Sequence, residues 1–193
     1  KTDLKEVNNL AGTSDFFIGL QQRMKDRSLQ LRRPNADNRR PYDDELVPAV
    51  DVALTRPGAH WLGYEGDFPW VPKFWDESPQ QMGGVTQLKG NVGPENGAVV
   101  FTGYLTVPSD GAYAFSLTVD SGAVLRIHDA IIIDADFGYE DGAEVSASMK
   151  LEAGLHPFTL SYLKQSTTAS SLDIQWSGPS VSKQPISIDY LSY

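Results

Sequence analysis

The sequence predicts a mainly β protein, an antiparallel β-barrel or sandwich carrying a short N-terminal α-helical appendage. Three observations carry that expectation. From Phe101 to Ile127 two alternating strands are joined by Pro108-Ser109-Asp110-Gly111, and a third follows Asp120-Ser121-Gly122. Alternation returns in Val145, Ala147, Met149 and Leu151, in His156, Phe158, Leu160 and Tyr162, and in Leu172, Ile174 and Trp176. Helical spacing, by contrast, is found in residues 13–31, where Phe17, Leu20 and Met24 recur on one face.

That N-terminal helix has the expected start signals. Thr13 or Ser14 can cap it, and Asp15 favours its positive end. Residues 1–31 form the first segment and residues 32–55 a linker. The stretch from Arg32 to Pro41 is polar, proline-punctuated and has neither the helical nor the strand period. Its four arginines suit a sulfate or phosphate, with a solvated or domain-bridging linker as the other reading.

Residues 56–193 make up the β unit. Tyr113, Phe115, Leu117 and Val119 share one face of a strand, and Ala114, Ser116, Thr118 and Asp120 share the other. Pro108 presets φ for the turn before this strand and Gly111 relieves crowding at the turn's end. Glu152-Ala153-Gly154 turns the chain between two later strands. Several short strands at this spacing argue for an antiparallel sandwich or barrel.

Composition narrows the function classes. The absence of cysteine excludes disulfides, thiolate nucleophiles and zinc–thiolate sites. Residues 1–40 hold nine Lys/Arg against five Asp/Glu, and the remainder holds seven against twenty, giving about +4 and −13 for the two parts. The acidic main unit is a poor nucleic-acid partner, because phosphate binding needs a basic face. No segment has the apolar length of a membrane span. The chain begins at Lys1 without an initiator Met or a signal-like segment, as expected of a mature product or an excised piece.

The run from Phe101 to Ile127 resembles the protective-antigen-fourteen domain, a β-barrel module of anthrax protective antigen, fungal flocculins and secreted glycosidases. The shared pattern is a Phe-x-Gly strand, a small-Gly-x-Tyr-x-Phe strand, a Ser-Asp-Asp-Gly-like loop and a short hairpin. The resemblance extends to Leu151-Glu152-Ala153-Gly154-Leu155-His156, to Tyr162, and to Trp176 with Pro179. Upstream it takes in Tyr64-Glu65-Gly66 and Pro72-Lys73-Phe74, where Tyr64 and Phe74 match positions that fill the barrel. At the N-terminus, Leu4-Lys5-Glu6-Val7-Asn8-Asn9-Leu10-Ala11-Gly12 and the helix after it resemble the closing segment of type I sulfatases.

The resemblance also marks a candidate site. Lectin members of the family hold calcium with two consecutive aspartates joined by a cis peptide, and the calcium coordinates sugar hydroxyls. The matching pair here is Asp120-Ser121, so a neutral hydroxyl replaces the second carboxylate and weakens the case for calcium. Asp134, Asp136, Glu140, Asp141 and Glu144 follow the Ile131-Ile132-Ile133 strand, and Asp120 with Asp134 and Asp136 is the candidate metal set. An exposed acidic loop that keeps a sheet edge from pairing is the alternative. Ala130 stands where the family has a hairpin glycine. Trp70 and Trp75 flank prolines outside the family pattern and are the candidate sugar platforms, with burial as the other outcome.

Ser177-Gly178-Pro179-Ser180-Val181 is the nearest approach to the sulfatase nucleophile motif, and Val181 stands where that motif needs Arg. His60, His128 and His156 are scattered, so this chain is expected to be non-catalytic. The expected function is therefore a carbohydrate-binding C-terminal module of a secreted or periplasmic bacterial sulfatase. Its partners would be a glycan, in particular a sulfated one, and a catalytic sulfatase domain ahead of Lys1, with calcium as the candidate cofactor. The alternatives are a structural or oligomerisation domain without a ligand of its own, and a stand-alone glycan-binding adhesin; the expected location is secreted, periplasmic or at the cell surface.

Overall fold

The computed structural model describes residues 45–53, 55–74, 77–136, 142–164 and 171–193, together with Gly19, Arg23 and Met24, which are helical. The rest of the predicted 13–31 helix and most of the predicted linker lie outside the described residues. The chain divides into two compact units, Lys1–Arg39 and Arg40–Tyr193. The described part of the 32–55 segment is bonded into the second unit. Val47 and Val50 donate their amides to Lys150 and Leu155, and Glu152 donates back to Val47.

The strands are β1 (Ala59–Glu65), β2 (Gln81–Val85), β3 (Gly97–Val107), β4 (Gly111–Val119), β5 (Ala123–Ile127) and β6 (Ala130–Asp134), followed by β7 (Glu144–Leu151), β8 (Gly154–Lys164), β9 (Leu172–Gly178), β10 (Val181–Pro185) and β11 (Leu191–Ser192). One sheet runs β2-β1-β3-β8-β5-β6, with β11 also paired to β3, and the other runs β10-β9-β4-β7. All these strand pairings are antiparallel. The architecture is therefore a sandwich and not a closed barrel. Closure would need β2 or β6 to pair with β7 or β10, and no such ladder exists among the described residues.

The alternation read from the sequence supplies the interior. Tyr113, Phe115, Leu117 and Val119 of β4 are buried in the core with Leu125 and Ile127 of β5, Leu160 and Tyr162 of β8, and Ile174 and Trp176 of β9. Two sheets that each bury one face in this way exclude water from a single shared layer, the main favourable term in folding.

Tyr64 and Phe74 are placed differently from the barrel-filling positions that the resemblance implies. On β1, Ala59 belongs to the core and Trp61 packs against it, so Tyr64 projects from the opposite, outer face. Phe74 comes from the β1–β2 loop and stacks on Tyr64 with centroids 3.8 Å apart, and Phe68 meets Phe74 edge-on at 5.7 Å. The loop, not the second sheet, buries this cluster.

At one end of the larger sheet His128 and His156 form a pair. His128 has φ of 51°, a left-handed turn position, and its amide donates to Pro157. His156 Nε2 bonds the Glu152 carbonyl at 2.9 Å, and that oxygen can only accept, so Nδ1 of the neutral ring is left to accept from His128 Nε2, also at 2.9 Å. Burial pushes both imidazoles below the ordinary histidine value, and at His128 the neighbouring His156 adds to the effect against the pull of Asp129. The Glu152 carbonyl and carboxylate oppose burial at His156. Both folded-state values lie below the unfolded one. The neutral pair thus contributes its stability in full above about pH 6.5 and loses it as pH falls below that value. Urea midpoints should fall between about pH 7.5 and about pH 5, before most carboxylates titrate, and a His128→Asn variant should flatten that slope.

Candidate functional site

The Asp120-Ser121-Gly122 turn carries the chain from β4 in the smaller sheet to β5 in the larger one. Each residue is fastened to a different neighbour. Tyr162 donates its hydroxyl to Asp120 Oδ1 at 2.6 Å, and the Ser171 amide donates to Asp120 Oδ2 at 2.9 Å. Ser121 is 1% exposed, and its Oγ donates to the Leu163 carbonyl at 2.7 Å. The Leu163 amide returns a bond to the Gly122 carbonyl at 2.8 Å.

Asp136, just past β6, meets this turn. A Cβ added at Gly122 would lie 2.7 Å from Asp136 Oδ1, so glycine is what lets the carboxylate approach. The same oxygen accepts the Val71 amide at 2.7 Å, and the Asp136 amide donates to Asp134 Oδ1 at 3.2 Å. Val71 belongs to the β1–β2 loop, which leaves β1 at Glu65 and re-enters the sheet at Gln81. This loop crosses the outer face as a strap pinned at the far edge. Trp70, next to the pin, is 63% exposed.

Three sequence-predicted elements therefore converge on one corner: Trp70, Asp136 and the Asp120–Gly122 turn. Trp75, Glu140 and Asp141 lie outside the described residues. The candidate metal set is not brought together as one group of ligands. Among the described residues no three His, Asp or Glu side chains are grouped to hold a metal ion, Asp120, Asp134 and Asp136 included. The reason is orientation: Asp120 turns to Tyr162 and Ser171, while Asp136 turns to Val71. Asp120 and Ser121 are both engaged by the protein's own groups, and Ser121 adds no charge, so the pair offers calcium less than two consecutive carboxylates would. Every described peptide bond is trans, the Asp120–Ser121 bond included.

Glu144 instead pairs with Lys183 at 2.6 Å, and that hydrogen bond is the main cause holding its carboxyl below the ordinary range. Both side chains are exposed, so the pair adds little to stability. Ser177 to Val181 forms the β9–β10 hairpin, with Val181 in the core. His60 stacks on Tyr193 at 5.5 Å. The residue whose role sequence reasoning missed is Asp136 as a strap anchor. Its partners are Val71, 65 residues back, and Gly122, and the local signal was the tryptophan-and-proline run Pro69-Trp70-Val71-Pro72.

Among the described residues no helix is long and apolar enough to cross a membrane. No curated protein matches the chain. Solved structures do. An anti-sigma factor domain-containing protein from Clostridium clariflavum is 22% identical with a TM-score of 0.56 over 69% of this chain and 47% of its own. The chain thus spans about half the length of that relative. The PA14 domain of the antifreeze protein MpAFP gives a TM-score of 0.58 at 14% identity, over 74% of this chain and 94% of that one. A PA14 sugar-binding domain from an RTX adhesin gives 0.54 at 16% identity, over 71% and 98%. At these identities the likeness is one of fold. The family itself is fixed by sequence, since the model of the PA14 domain matches residues 55–190, the two-sheet sandwich and its Asp120–Gly122 turn included, and the chain therefore belongs to the PA14 domain family.

Proposed function

We propose that the sandwich is a carbohydrate-binding module of a secreted bacterial sulfatase and keeps that enzyme beside a sulfated glycan. The carrying observation is the corner at which exposed Trp70 stands next to Asp136 and the Asp120–Gly122 turn. An exposed indole offers an apolar face to a sugar ring, and polar groups around it supply orientation. Two further facts support the reading. A structural relative of the same family is described as sugar-binding, and the Leu4–Gly12 phrase resembles the closing segment of sulfatases. Retention through a weak second site raises the local concentration of substrate without changing the chemistry. Recognition at this corner runs without calcium.

The test is a glycan screen against sulfated and neutral saccharides, with calcium and with chelator. Binding should be indifferent to chelator. Trp70→Ala should weaken it roughly three- to tenfold, the equivalent of about 0.5–1.5 kcal/mol. No binding at millimolar ligand to any saccharide would sink the reading.

A structural role is the second reading, favoured by the inward-turned Asp120 and Ser121. Deleting residues 56–193 from the parent protein separates the two. A structural module predicts lost stability or altered assembly, whereas a binding module predicts activity lost only on polymeric substrate.

A further inference from the structure

The strap roofs a cavity of about 520 Å³ on the outer face of the larger sheet, a volume within the range of small-molecule sites. Pro72, Lys73 and Phe74 form its roof. Alternation fixes which polar side chains form its floor. Leu125 and Ile127 belong to the core, so Arg126 between them projects outward; Leu160 belongs to the core, so Thr159 and Ser161 project outward on β8. Arg126 pairs with Thr159 in the β5–β8 register, and Ser161 is two residues along the same face.

Among the described residues none of these three side chains hydrogen-bonds or pairs with another protein group. Ser161 is nevertheless only 6% exposed, and Arg126 is half-buried. Their polar atoms are not sealed in the protein, since the buried side-chain polar atoms without a partner among the described residues are Trp176 Nε1 and Ser192 Oγ; they open onto the cavity, where a ligand can reach them. The charge setting adds direction. From residue 41 onward the chain carries about −13, a field that repels anions, yet among the described residues this cavity is lined by Lys73 and Arg126 against the single carboxylate of Asp129.

We propose that this cavity is an anion subsite for the carboxylate or sulfate ester of an acidic monosaccharide unit, an inference that rests on the glycan-binding reading and names its ligand class. The planar guanidinium of Arg126 matches either oxyanion with two parallel hydrogen bonds. Thr159 and Ser161 donate to the remaining acceptor lone pairs of the oxyanion, and the Tyr64–Phe74 stack supplies an apolar wall for the ring. The subsite is separate from the Trp70 corner, so a glycan chain can occupy both.

The experiment is a titration of the chain, followed by amide chemical shifts, with glucuronate, glucose 6-sulfate and glucose as probes, at low and at physiological salt. The acidic sugars should shift the amides of Arg126 and of residues 159–161, and added salt should weaken them. Glucose should leave those amides unmoved. Arg126→Gln should lose about tenfold or more in affinity for the acidic probes. Ser161→Ala provides a second variant should Arg126→Gln fold poorly, and thermal unfolding of both controls for stability. Response to only one acidic probe supports the subsite and assigns its ligand as uronate or sulfate ester. Equal response to glucose, or no response at Arg126 to either acid, overturns it. Loss of saccharide binding at Trp70 with the Arg126 response intact would overturn the corner and leave the subsite standing.

Discussion

Replacing Trp176 with alanine should lower the unfolding free energy by about 3–5 kcal/mol. Trp176 is fully buried on β9 and joins three rings: Tyr113 stacked at 5.4 Å, Phe115 at 6.5 Å and Tyr190 edge-on at 4.9 Å. Tyr113 and Phe115 lie on β4, the neighbouring strand, and Tyr190 lies in the 3-10 turn Ile188–Tyr190 that precedes β11. Removing the indole thus opens a cavity between the smaller sheet and the chain's final segment. With typical domain stabilities of about 5–15 kcal/mol, the loss leaves a marginal fold. The indole Nε1 is buried without a hydrogen-bond partner among the described residues, so Trp176→Phe discards an unsatisfied donor along with some volume. The phenylalanine variant should retain well over half of the lost stability. Urea denaturation with an unchanged m-value is the readout, and a Trp176→Ala loss under about 1 kcal/mol would contradict the packing described.

Asp120→Ala should cost about 1–3 kcal/mol, because Tyr162 is wholly buried and its hydroxyl loses an acceptor that sits 2.6 Å away. The Ser171 amide loses its partner as well. Tyr162→Phe alone should cost less, since it removes the donor together with the need for an acceptor. The double variant should then fall short of the sum of the two single changes, and that shortfall measures the bond. The result governs how Asp120 variants are used in binding work. A lost saccharide signal in Asp120→Ala reports on ligand contact only if unfolding at the assay temperature is excluded. Strict additivity of Asp120→Ala and Tyr162→Phe would show that the carboxylate is held by other groups.

Local pattern made the strands legible. Tyr113 through Val119, Leu160 with Tyr162, and Ile174 with Trp176 each needed only the period of two, because a sandwich strand buries one face and the chemistry of that face is written in consecutive residues. Pairing between distant strands is not written that way. Nothing near Asp120 in sequence shows that the next strand joins the other sheet, so barrel and sandwich remained equivalent until the ladders were known. Alternation also cannot tell which face a second layer covers, so a buried Tyr64 looks the same in sequence whether a sheet covers it from inside or Phe74 of the strap covers it from outside. The site suffered in the same way. An aspartate in a tight turn has one local signature whether it awaits a cation or accepts from Tyr162 and Ser171, and those partners are 42 and 51 residues away. Trp70 was legible because it flanks prolines and falls outside the family pattern that Tyr64 and Phe74 match.

The strap from Gly66 to Gln80 contributes no side chain to the sandwich core among the described residues, although it roofs one proposed site and presents the other. It is therefore an exchangeable cassette. Its sequence and length can diverge, or be rewritten by an engineer, at little cost to folding, provided a backbone amide still reaches Asp136 and a ring still lies on Tyr64. Recognition can thus evolve on this scaffold independently of the apolar layer that keeps it folded.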